Sequence, residues 1–384
     1  MAAIQEMGYN IPRPHLELLS RRELAGLFPE VGRVRNAWEF MAAGIAVEAK
    51  MEAFHAGTPK MAAERGEDPK LFKDNLIWTL DGFAAERLAR GFELTDWRTY
   101  VESCEGHKEK KAAKLGREPK MLRGYYGNES KYEIDVDLDP IEGTDATADN
   151  MPGGMVFGAI STPRGIMSTP KDEVAFGGNG EDIDYMDKLF APPRLAGEIS
   201  LEQSPFENLV IAQKVYGIDP ANIVVTYLNR PRNQDIIDAI REFGATGNPI
   251  NAGDLAPGLR ASREPAKDGK LHLLRGIGGL QEGVGVAAAG KAWGSVAEGR
   301  IVRVRKDGDR ELYIPDQKVL TVNDLIPGEA DHSLAIFAAI TDIPEFGMRG
   351  VDFDRHTVMT FAVDQNDERG FRINEMDYRE LLAA

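Results

Sequence analysis

Cysteine is almost absent: Cys104 is the one thiol among 384 residues. No disulfide can close within the chain, and a cysteine-rich zinc site is excluded with it. The six histidines are scattered, with no pair at a ligand spacing such as HExxH. Any metal held here is held by oxygen, which points to magnesium or manganese. No apolar run approaches the roughly 20 residues of a membrane-spanning helix. The N-terminal stretch lacks a basic segment followed by an apolar block, so no secretory signal is expected. Basic residues are in deficit, 46 against 62 acidic, for a net charge of −16. That balance disfavours nucleic acid and anionic membranes as partners. An anionic small substrate stays open, because a bound cation reverses the local field. A cytoplasmic globular protein is the expectation, and 42% hydrophobic residues allow a sizeable core.

What is present reads as alternating helix and strand. Residues 36–55 place Trp38, Met41, Ile45, Ala49 and Met51 near one stripe of an amphipathic helix. The charged stretch 57–74, with its Gly and Pro, reads as a surface loop. A helix over 82–92 and a strand over 97–103 follow, then a basic excursion at 108–120. The clearest strand is 132–138, where Tyr132, Ile134, Val136 and Leu138 alternate with Glu133, Asp135 and Asp137. Its alternation predicts that the acids face solvent, and Pro140 should end it. A strand at 154–161 comes next. Beyond residue 206 the order is helix to 216, strand 223–228, helix 234–243, a short strand 271–274 and a glycine-rich helical stretch to 290. A hairpin turn at 306–309 and strands at 334–340 and 358–363 close the pattern.

The strongest local signal is Asp139-Pro-Ile-Glu-Gly-Thr144. Asp139 should end a strand, Pro140 turn the chain, and Glu142 return beside Asp139. Two carboxylates on one short turn can grip cations, as two-metal phosphoryl transfer requires. Gly143 permits close backbone approach and Thr144 adds a hydroxyl. Asp135-Val-Asp137 and Asp137-Leu-Asp139 also resemble the Asp-x-Asp of haloacid-dehalogenase-type phosphatases, whose first aspartate is a nucleophile. That motif normally ends a continuous apolar strand, and the alternation here argues against it.

DPIEGT resembles the metal-binding signature of the lithium-sensitive sugar and inositol phosphatases. Further segments narrow the likeness: Arg21-Arg-Glu-Leu-Ala25, DYMDKL at 184–189, NRPR at 229–232, AGDLA at 252–256 and GIGGLQEG at 276–283. In that order they resemble class II fructose-1,6-bisphosphatases, and the likeness runs from about Arg21 to Val363 with interruptions. It implies metal ligands at Asp81, Glu105, Asp139, Glu142 and Glu282, holding two or three Mg2+ or Mn2+ ions. Catalytic roles fall on Asp81, Glu105 and Thr144. Substrate contacts fall on Glu142, Gly143, Thr144, Tyr185, Arg230, Pro231, Arg232, Gly253, Asp254 and Gly279. The glycine-rich segment also invites a dinucleotide reading, which fails the GxGxxG spacing. Three departures stand out: Ala252 where the family has an acid, Ile77 where it has a lysine (with Lys73 nearby), and His107 in place of an acid.

The fold so implied is a layered α/β sugar-phosphatase sandwich of two lobes, with the metal site at their junction. The expected division is a metal-binding lobe over 1–195, a second lobe with the sugar-phosphate contacts over 196–325, and C-terminal strands over 326–384. The implied reaction is metal-dependent hydrolysis of the 1-phosphate of fructose 1,6-bisphosphate, with sedoheptulose 1,7-bisphosphate as a second substrate. Water attacks in line, with Asp81 orienting it, and no covalent phosphoenzyme is needed. A homo-oligomer, dimer or tetramer, is expected. Alternatives are an inositol, sugar or nucleotide monophosphatase of the same superfamily, and a catalytically silent sugar-phosphate sensor.

Overall fold

The computed structural model describes residues 13, 16, 19–104, 124–167, 185–265, 269–307 and 310–383. They fall into two compact units, residues 1–164 with 334–384, and residues 165–333. The boundaries expected at 195/196 and 325/326 both lie inside the second unit. Each unit is built on one sheet, so the chain has the α/β class its pattern predicts.

In the first unit, helices α1 (Arg21–Gly26), α2 (Val31–Ala56), α3 (Pro59–Glu64) and α4 (Pro69–Glu93) precede strands β1 (Arg98–Cys104), β2 (Gly124–Tyr126) and β3 (Glu133–Glu142). Helix α5 (Thr144–Asp149) and β4 (Met155–Ser161) follow. The second unit holds β5 (Tyr185–Ala191), α6 (Pro205–Tyr216), β6 (Ile223–Leu228), α7 (Gln234–Phe243), β7 (Thr246–Ile250) and α8 (Leu255–Ala261). It continues with β8 (Leu271–Gly279), α9 (Leu280–Trp293), β9 (Val296–Asp307) and β10 (Arg310–Pro315). The chain then returns to the first unit with β11 (Leu334–Ala339), β12 (Thr357–Val363), β13 (Phe371–Asp377) and a terminal helix, Tyr378–Ala383.

The first sheet has the order β13-β12-β11-β4-β3-β1-β2, with β3 parallel to β1 and antiparallel to β4. Trp38, Ala42 and Ile45 of α2 and Leu80, Leu88 and Phe92 of α4 pack with Ile134, Val136 and Leu138 of β3 in one core. All ten residues of β3 are buried. The alternation in this strand therefore separates two covered faces, and Asp135 and Asp137 do not face solvent as expected. Pro140 does not end the strand either. It sits where the pairing with β4 shifts register between Asp139 and Glu142, a bulge that needs no ladder donor.

A second correction concerns residues 57–74, which form α3 and the start of α4 rather than a loop. Thr58 accepts from the Met61 amide at 3.3 Å, and Asp68 from the Lys70 and Leu71 amides at 2.8 and 3.1 Å. Each is an N-cap followed by proline in the first turn, and this local chemistry outweighs a loop-like composition. Residues 371–377 add a strand that the pattern did not announce. The basic stretch 108–120 lies outside the described residues.

Charge buried on the far face of β3 is gathered around Arg13. Its guanidinium pairs with Asp135 at 2.6 Å, with Glu102 at 3.5 Å and with Glu133, and lies 4.1 Å from the Tyr100 ring centroid. Burial pushes the Asp135 carboxyl up to about 7; Arg13 opposes the shift, while Glu102 and Glu133 reinforce it. This value lies above the ordinary carboxylate range near 4. The folded state thus binds more protons than the unfolded chain between about pH 4 and 7, and stability falls as pH rises through that window. The urea midpoint is expected to decline across it, and Asp135→Asn to flatten the decline. Identical slopes in the two proteins would remove Asp135 from this account.

The second sheet has the order β10-β9-β5-β8-β6-β7, with β6 parallel to both β7 and β8. Leu209 and Ala212 of α6 and Ile236 and Ile240 of α7 cover Ile223, Val225, Leu271 and Leu273. Helices α8 and α9 pack on the sheet through β8, β5 and β9. The short strand expected at 271–274 runs on to Gly279, so half of the glycine-rich segment is strand and half is helix. Strands β9 and β10 pair antiparallel, Asp307 with Arg310, while Gly308 and Asp309 of the turn expected at 306–309 lie outside the described residues. Among the described residues no helix is long and apolar enough to cross a membrane.

Candidate active site

The turn after β3 is shaped by its glycine. Gly143 has φ of 71°, and a Cβ there would collide with the Gly153 carbonyl. Only glycine fits both demands. The end of β3 that leads into this turn holds Asp139 and Glu142, both buried, with the Ile141 amide donating to Asp139 Oδ1 at 3.1 Å. Thr144 opens α5 and donates its hydroxyl to the Ile141 carbonyl at 3.1 Å. Two carboxylates flanking a bulge are oxygen donors suited to a hard divalent cation.

Asp81 lies in the middle of α4, so it does not precede or cap a helix as its sequence position suggested. Helix α4 packs on β3 and on α5. Lys73, two turns earlier on α4, fixes that contact by pairing with Asp145 and Asp149 at 2.7 Å each. Ile77 carries no charge, and Lys73 supplies a cation from the same helix instead. Cys104 ends β1 in a buried position. Glu105, the adjoining ligand candidate, and His107 lie outside the described residues. Among the described residues no three His, Cys, Asp or Glu side chains are gathered closely enough to hold an ion. Asp139 and Glu142 thus bring two buried carboxylates to the end of β3, and among the described residues no gathering of three such side chains includes them.

The second unit gathers the other candidates at one edge of its sheet. Strands β6, β7 and β8 are parallel, with Leu228 level with Ile250, while β8 runs on past Leu274, the partner of Thr226, to Gly279, which pairs with Tyr185 at the start of β5. Carboxyl ends of parallel strands are where such sheets place ligands. Arg232 is held there in a fixed pose. Its Nε donates to the Ile277 carbonyl at 3.0 Å and its Nη1 to the Tyr313 hydroxyl at 3.2 Å. The rings of Tyr185 and Tyr313 lie 4.9 and 4.8 Å from its guanidinium carbon, and 5.3 Å from each other. Nη2 takes no partner among the described residues.

Arg230 is exposed, and its guanidinium donates to the Asn229 and Asn251 carbonyls at 3.0 and 2.6 Å. It ties the loop after β6 to the loop after β7, while Pro231 starts the short turn between the arginines. Gly253 precedes Asp254, whose carboxylate pairs with Lys188 at 2.7 Å. Glu282 stands in the first turn of α9 with its carboxylate folded over Gly279, where a Cβ would collide with it. Two residues here escaped sequence reasoning. Lys188 left a faint signal, a lysine beside Asp187 in a short strand that is otherwise mostly apolar. Tyr313 left none, because the β9–β10 hairpin alone brings it to Tyr185.

These two constellations can be set beside known proteins. Residues 79–373 match the model of a family described as bacterial fructose-1,6-bisphosphatase, glpX-encoded. The chain belongs to this family. It is 33% identical over 246 residues to a D-fructose 1,6-bisphosphatase class 2/sedoheptulose 1,7-bisphosphatase of Thermosynechococcus vestitus. A protein of the same description from Crocosphaera subtropica is 32% identical over 243 residues. Each match covers 60% of this chain, and 65% and 66% of the respective relative, just under two thirds of its length. The family match spans the Asp139 turn, the paired arginines and the Lys188–Asp254 pair alike.

Proposed function

We propose that this chain hydrolyses the 1-phosphate of fructose 1,6-bisphosphate, giving fructose 6-phosphate and phosphate. Sedoheptulose 1,7-bisphosphate is a second substrate, a reading favoured by the double description that both relatives carry. One observation supports a bisphosphate above all: Arg232 is clamped between two tyrosines with two donors spent on the protein and Nη2 unspent. A guanidinium so pre-organised suits a phosphate, which it can meet with charge-assisted bonds at little further entropic cost.

In this reading Arg232 holds the distal phosphate and Tyr185 offers a hydroxyl beside it. Asp139 and Glu142 would hold a divalent cation, magnesium or manganese, with Asp81, Glu105 and Glu282 as further candidate ligands. Bound there, such a cation would stabilise charge on the scissile phosphate and acidify a water. Gly143 lets the backbone approach the phosphate, and the Thr144 hydroxyl stands at the start of α5. Phosphate release from a panel of sugar mono- and bisphosphates, with either metal, tests the proposal. Preference for fructose 1,6-bisphosphate is expected. Release from monophosphates alone would point to the inositol- or nucleotide-type activity, and binding without release to a sensor.

A further inference from the structure

The glycine-rich stretch 276–283 does more than turn β8 into α9. A Cβ at Gly278 would collide with the Asp254 carboxylate and lie 2.9 Å from Lys188 Nζ; one at Gly283 would lie 2.9 Å from Lys188 Cδ. Neither glycine has a positive φ, so space rather than backbone conformation demands them. They are bare so that two charged side chains fit. Lys188, 1% exposed on β5, pairs with Asp254 Oδ2 at 2.7 Å and donates to the Gly279 carbonyl at 2.8 Å. Asp254, 5% exposed, stands at the N-cap of α8 yet makes no side-chain bond to that helix. Its Oδ1 is buried and accepts no hydrogen bond among the described residues. A buried acceptor left open costs about 1–3 kcal/mol. That cost is recovered when a donor arrives from outside the chain.

We infer that Lys188 is a positioning residue that aims Asp254 Oδ1 at a hydroxyl of the substrate. The inference deepens the proposed function and rests on it. Lys188 spends two of its three donors on Asp254 and on the Gly279 carbonyl at the end of β8, and acts on the sugar through the carboxylate. Asp254 then selects for a polyhydroxylated substrate, since a ligand without the matching hydroxyl leaves the buried acceptor unpaired.

The test measures phosphate release by the full chain with magnesium, from fructose 1,6-bisphosphate and from p-nitrophenyl phosphate. It compares wild type, Lys188→Met, Asp254→Asn and the double variant. Lys188→Met is expected to raise KM for the bisphosphate roughly tenfold or more, with kcat falling by a smaller factor. The double variant is expected to be no worse than Asp254→Asn, because Lys188 acts through that residue. A merely structural role would instead lower the melting temperature and impair both substrates alike. If Lys188→Met does not fold, Gly278→Ala keeps both charges while displacing them, and is expected to raise KM similarly. Folded variants with wild-type KM, or an additive double variant, overturn the inference. A wild type that releases no phosphate from any sugar phosphate overturns the proposed function and this inference together. An active wild type with an indifferent Lys188→Met overturns the positioning role alone.

Discussion

Glu142→Ala is expected to lower phosphate release by about a hundred- to a thousand-fold, the range for removing one electrostatic stabiliser of a transition state. The substitution deletes one of the two buried carboxylates on the Asp139 turn. The fold should persist, because the substitution removes a site carboxylate rather than an apolar core side chain. Excess chelator should abolish turnover in the wild type, and magnesium or manganese should restore it, because the donors are all oxygen. Melting and activity are measured on the same preparations, so that a folding defect is not mistaken for lost chemistry. Full activity in excess chelator would falsify the metal-dependent mechanism, whatever the variant does.

Arg232→Ala carries the second large effect. Removing one partner of a buried, hydrogen-bonded charge contact costs roughly 2–4 kcal/mol of binding, which corresponds to a rise in KM of about thirty- to a thousand-fold. The rise should appear with fructose 1,6-bisphosphate, and the preference for that substrate over a small monoester should collapse by a similar factor. Arg230→Ala should do less, since its guanidinium donates to backbone carbonyls of the loops after β6 and β7. Tyr313→Phe offers a milder probe, because it removes the hydroxyl that receives Arg232 Nη1 and leaves the ring in place. If Arg232→Ala affected both substrates equally, the guanidinium would not be reading the distal phosphate.

Local chemistry made much of this protein legible from its residues. Strand 223–228 and helix 234–243 fall where periodicity placed them, because each is bounded by turn residues and covers one side of the same core. The two carboxylates Asp139 and Glu142 and the glycine after them were plain within six consecutive positions, but the turn expected at Pro140 is a bulge inside β3, and the chain turns only at Gly143. Helices over 57–74 were written in the Thr58-Pro59 and Asp68-Pro69 caps, which charge and composition obscured. The burial of Asp135 was not legible. A period of two reports that two faces differ, and only Arg13, brought in from more than a hundred residues away, makes an acidic face a buried one.

The sequence by itself determined the family and which short segments carry the likeness to it, because those properties reside in residue type and near spacing. Tertiary structure alone decided how the donors are held. The β9–β10 hairpin carries Tyr313 to the Tyr185 ring, and β5 carries Lys188 to Asp254. Such contacts depend on strand order and register, which fix which distant side chains meet, and a linear pattern does not encode that choice.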